Sequence, residues 1–87
     1  MRFWELKMLV KIDVSGLYKG RAKLKEADDY IKKALELAGD GNKIILMGPG
    51  PIWLFLKLSH ALHGKARSLA YWSPVSGEIQ IFNHDPD

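Results

Sequence analysis

The stretch Ile44-Ile45-Leu46-Met47-Gly48-Pro49-Gly50-Pro51-Ile52-Trp53-Leu54 decides the fold. Its first four residues are apolar without alternation, the pattern of a short strand covered on both faces. The Gly-Pro-Gly-Pro turn then leads into a second apolar run, read as a helix from about Pro51 to His63 and closed by Gly64. Proline suits a first helical position because its missing N–H would have had no partner there. A buried strand feeding a buried helix is the half-unit of an α/β protein.

The flanking sequence agrees. Trp4, Leu6, Met8, Val10, Ile12 and Val14 alternate with mostly polar residues, Leu9 excepted, which predicts a half-buried strand over residues 4–14. Ser15-Gly16 and Lys19-Gly20 mark a loop. Leu24, Ala27, Ile31, Ala34, Leu35 and Ala38 then recur at helical steps, until Gly39-Asp40-Gly41-Asn42 stops the helix. Lys25, Asp28, Asp29, Lys32, Lys33 and Glu36 take its wet side, a solvated face rather than an RNA-binding one. Downstream, Ala66–Trp72 and Glu78–Phe82 read as strands joined by Ser73-Pro74-Val75-Ser76-Gly77, which matches a type I turn with a glycine bulge.

The order is β-α-β-α-β-β. Right-handed crossovers make the sheet partly parallel, with an antiparallel closing hairpin. The expected fold is one small α/β sandwich over residues 1–87 with a mixed sheet, Rossmann-like or ferredoxin-like.

At 87 residues and 9.9 kDa there is room for a single domain, and self-association would help it bury surface. A content of 47% hydrophobic and 26% charged residues excludes the disordered and low-complexity classes. Without cysteine there is no disulfide, thiolate metal site or cysteine nucleophile. The +3 charge favours anionic partners only weakly. The apolar stretch Ile44–Leu58 is too short and too broken to span a bilayer, and no targeting segment is visible, so a cytoplasmic protein is expected.

Three places could carry chemistry. The strand-to-helix junction at Gly48, Gly50, Pro51, Ile52 and Trp53 offers open amides and a positive helix end to a phosphate. It lacks both nucleotide fingerprints: Trp53 stands where a dinucleotide loop needs glycine, and no Gly-Lys-Ser/Thr follows. A stiff turn starting a buried helix explains it equally well. On the helix itself, Lys57, His60 and His63 are the polar exceptions, within a sector about 120° wide. Two imidazoles one turn apart can share a metal or act as acid and base, although the wet edge of a core helix is the simpler reading. Finally, His84 with Asp85 and Asp87 could join that pair if the last strand lies beside the helix.

Gly48-Pro49-Gly50-Pro51-Ile52-Trp53-Leu54, then His60 and His63, then Trp72-Ser73-Pro74-Val75-Ser76-Gly77 and His84, resembles the Csx-three family of CRISPR-associated proteins. The resemblance implies a ring nuclease of type III CRISPR systems that degrades cyclic oligoadenylate, or a manganese-dependent nuclease acting on short RNA. It implies a homodimer or higher homo-oligomer holding the ring between subunits, with neither membrane nor DNA as partner. By the same resemblance His60, His63 and the Ser73 position carry catalysis. His60, His63 and His84 would hold Mn, and Gly48, Gly50, Pro51, Ile52, Trp53, Lys57 and Arg67 would contact the ligand. The family usually has Arg where this chain has Pro49, and Asp where it has Ser73, which removes a phosphate-gripping cation and a carboxylate. Two other readings remain: a protein that binds the ring without cutting it, and a small protein-interaction module anchored by Trp4, Trp53 and Trp72.

Overall fold

The computed structural model describes residues 8–84. Strand β1 (Leu9–Asp13) leads through a 3-10 turn (Val14–Leu17) and a loop to a second 3-10 turn (Leu24–Glu26) and helix α1 (Ala27–Ala38). Strand β2 (Lys43–Met47), helix α2 (Ile52–Leu62) and the hairpin β3 (Ser68–Ser73) and β4 (Gly77–Asn83) follow. Trp4 and Leu6 of the expected first strand, together with Asp85 and Asp87, lie outside the described residues.

Among the described residues the sheet has four strands in the order β1-β2-β3-β4. The first three are parallel and β4 is antiparallel to β3, so the sheet is mixed, as expected. The three consecutive parallel strands have a helix in each crossover, the arrangement of a small α/β sandwich. Both crossovers step the same way along the sheet, so right-handedness puts α1 and α2 on one face, where they touch each other. β2 is thus covered by helices on one side, not two. Ile44 and Leu46 point into the core, while Ile45, on the opposite face, is still only 5% exposed.

The period-two pattern placed Val10 and Ile12 correctly toward the helices. Val14 is also buried, but in the 3-10 turn, because the Asp13 carboxylate accepts from the Ser15 amide (3.0 Å) and hydroxyl (2.6 Å) and turns the chain out of the strand. α1 starts at Ala27, and Asp28 and Asp29 in its first turn complement the helix dipole. Gly39, at φ 64°, ends it by donating to the Leu35 carbonyl, and Asn42 Nδ2 donates to the Ala38 carbonyl at 2.8 Å.

α2 differs most from expectation. Only Leu54, Leu58 and Leu62 are buried, a single stripe, while Ile52 (79%) and Leu56 (66%) are largely exposed. The helix starts one residue later than predicted, with Pro51 as its N-cap. In the closing hairpin Gly77 has φ 77°, as the glycine-bulge turn requires, and a separate register shift between Leu69 and Ala70 kinks the pairing with β4.

Candidate functional site

The glycine-proline junction sits at the carboxyl ends of the parallel strands, where ligands of α/β sheets bind. Gly48 is held tightly there. Its φ is 86°, and a Cβ would collide with Asp13 Oδ1 and approach Asp13 Cγ to 2.8 Å. A Cβ on Gly50 would come within 3.0 Å of Val14 Cγ1 and 3.2 Å of the Phe55 ring. The Tyr18 hydroxyl donates to the Pro49 carbonyl at 3.4 Å, tying this turn to the loop after β1.

Pro51 gives α2 no side-chain cap, and its carbonyl accepts from the Leu54 (3.1 Å) and Phe55 (3.4 Å) amides. The amides of Ile52 and Trp53 precede these bonds, so by helix geometry they are the open donors at this end. Trp53 packs partly into the core. Gly50 and Ile52 also line a groove of about 310 Å³ with Phe55, Leu56, Tyr71 and Ile81. That wall is apolar, with no charged side chain on it.

The histidines lie elsewhere. His63 follows α2, and His84 follows β4 with its amide donating to the Arg67 carbonyl at 2.8 Å. Because β4 runs antiparallel to β3, these two chain positions meet at the end of the sheet opposite the glycines. The His63 and His84 rings are 4.6 Å apart at 77°, and Phe82 contacts both, at 5.0 and 4.8 Å. Both histidines are exposed. Arg67 belongs to this end too, whereas Lys57 and His60 are exposed along α2.

Within one chain the structure sets two parts of the expected site apart from the rest. The imidazoles do not gather beside the glycine-proline turn of the same chain: eleven helical residues, about 16 Å, separate the two ends of α2. Ser73 lies at the glycine end of β3, away from the histidine pair, and its oxygen accepts from the Val75 (3.2 Å) and Ser76 (3.1 Å) amides. In one chain it is a turn residue.

No group of three His, Asp or Glu among the described residues is placed to hold a metal ion. His60 does not complete a three-ligand set with His63 and His84. The two imidazoles that meet are those of His63 and His84, and Asp85 and Asp87, expected beside them, lie outside the described residues. Sequence reasoning missed Phe82, read only as the end of the last strand, whose ring joins the two imidazoles in a three-ring cluster.

Compared with known proteins, the chain matches no family model, no curated protein and no solved structure.

Proposed function

We propose that this chain binds cyclic oligoadenylate and opens the ring, as its resemblance to the Csx-three family implies. The observation that carries the reading is the exposed His63–His84 pair, two imidazoles brought together from separate elements. In ring opening the ribose 2′-oxygen forms a bond to the adjacent phosphorus, and the bond from phosphorus to the 5′-oxygen breaks. One imidazole takes the 2′-hydroxyl proton and the other gives a proton to the departing 5′-oxygen, leaving a 2′,3′-cyclic phosphate. Arg67, whose carbonyl accepts from the His84 amide, brings a cation to the same end of the sheet, which favours the charge that builds on the phosphoryl oxygens.

The glycine turn supplies the other half. Its open amides suit a phosphate, and the apolar groove beside Gly50 and Ile52 suits a base. With the two halves at opposite ends of one chain, the ring is held between copies, one offering its glycine end and another its imidazole pair.

The test is incubation with cyclic tetra-adenylate, with and without Mn²⁺. Linear product that disappears in His63→Ala and His84→Ala supports the reading; absence of linear product under both conditions refutes cleavage. Capture without cutting is the second reading, favoured by Pro49 and by the engagement of the Ser73 oxygen in its own turn. Tight binding with no turnover, indifferent to His63→Ala, selects it.

A further inference from the structure

Behind the glycine turn, between the loop after β1 and the start of α1, lies a second concavity of about 350 Å³. Tyr18, Lys19, Lys23, Glu26, Tyr30 and Lys33 supply its walls. We propose that this pocket binds a phosphoryl group, as free phosphate or as the phosphate monoester of a nucleotide.

The charge balance points there first. Three ammonium groups face one carboxylate, and among the described residues none of the three lysines is ion-paired. Lys33 Nζ donates only to the Leu17 carbonyl, at 3.5 Å, a neutral acceptor that leaves its charge uncompensated. The resulting excess of two positive charges matches a phosphate monoester dianion.

The wall is also preorganised. Tyr30 is buried to 5% exposure, its hydroxyl accepts from the Lys23 amide at 3.0 Å and donates to Glu26 Oε2 at 3.5 Å, and its ring lies 5.9 Å from that of Tyr18. This chain of contacts fixes the backbone that carries Lys23 and draws the one carboxylate toward tyrosine. Lysines bind a phosphoryl group as point charges, and three of them line this wall. The volume falls within the range of small-molecule sites.

The pocket does not depend on ring cleavage, and its test needs no turnover. The full chain is titrated with inorganic phosphate, adenosine monophosphate and uncharged adenosine, while backbone amide NMR signals are followed. Saturable shifts confined to residues 16–33, with phosphate or the monophosphate but not adenosine, are expected. Tighter binding of the monophosphate identifies a nucleotide as the source, and equal binding identifies the phosphoryl group alone. Lys19→Ala with Lys23→Ala, both exposed positions, weakens binding about tenfold or more, and Glu26→Gln tightens it. Shifts spread over lysines throughout the chain, equal shifts with adenosine, no saturation, or no effect of the lysine variants while the amide spectrum stays native would each overturn the assignment.

Discussion

Replacing Gly48 by alanine tests how the glycine turn is built. At φ 86° an L-residue is strained by about 1–2 kcal/mol. The new methyl also collides with Asp13 Oδ1, so the carboxylate must swing away and release both Ser15 contacts. Loss of such a cap costs about 1 kcal/mol. Together Gly48→Ala should destabilise the fold by about 2–3 kcal/mol, which lowers the melting temperature of a domain this size by about 10–20 °C. Asp13→Ala alone should cost about 1 kcal/mol. In that background the methyl meets no carboxylate, so only backbone strain remains and the second substitution costs about 1–2 kcal/mol. Urea unfolding of the four proteins, followed by circular dichroism, measures the cycle. An equal cost of Gly48→Ala in both backgrounds would show that Asp13 does not constrain the turn.

Ser73→Ala removes the acceptor for two hairpin amides and should cost about 1 kcal/mol in denaturant unfolding, with ring cleavage by the folded variant unchanged. If cleavage vanishes while stability holds, Ser73 acts on substrate. His63→Ala or His84→Ala should lower the single-turnover rate on cyclic tetra-adenylate by about 100-fold or more, with His60→Ala changing it little; the reverse order would remove the His63–His84 pair from the mechanism. Leu58→Ala empties a fully buried position on the central α2 stripe and should cost about 2–5 kcal/mol by thermal or urea unfolding.

The element order was legible because β1 and α1 each repeat at one period and β2 and α2 are short apolar runs bounded by glycine and proline. Alternation in β1 and three- and four-residue steps in α1 need no tertiary information. Boundaries failed where a local hydrogen bond overrode the period: the Asp13 carboxylate takes Val14 out of the strand, and the 3-10 turn at Leu24–Glu26 leaves Leu24 exposed although it heads the apolar stripe. Tyr30, which the apolar stripe left out, lies one turn from Ala27 and from Ala34 and is buried with them, its hydroxyl paired with the Lys23 amide and Glu26. The apolar content of α2 suggested cover on most sides, but with both helices on one sheet face only Leu54, Leu58 and Leu62 are enclosed. For the site, sequence spacing placed His60 and His63 on one helix, yet the partner of His63 is set by the antiparallel return of β4, a long-range pairing. Ser73 could not be separated from the histidines by reading, since only strand direction puts them at opposite ends.

The kink in β4 has a consequence for how copies of this chain behave at high concentration. A straight outer strand with Ile79 and Ile81 half open to water would be a template on which further chains could add their own backbones without limit. The extra residue opposite the Leu69/Ala70 step breaks the spacing of that template and twists it out of plane. Excising one residue from the hairpin would restore a regular rim, and the protein would trade a discrete particle for open-ended fibrous growth.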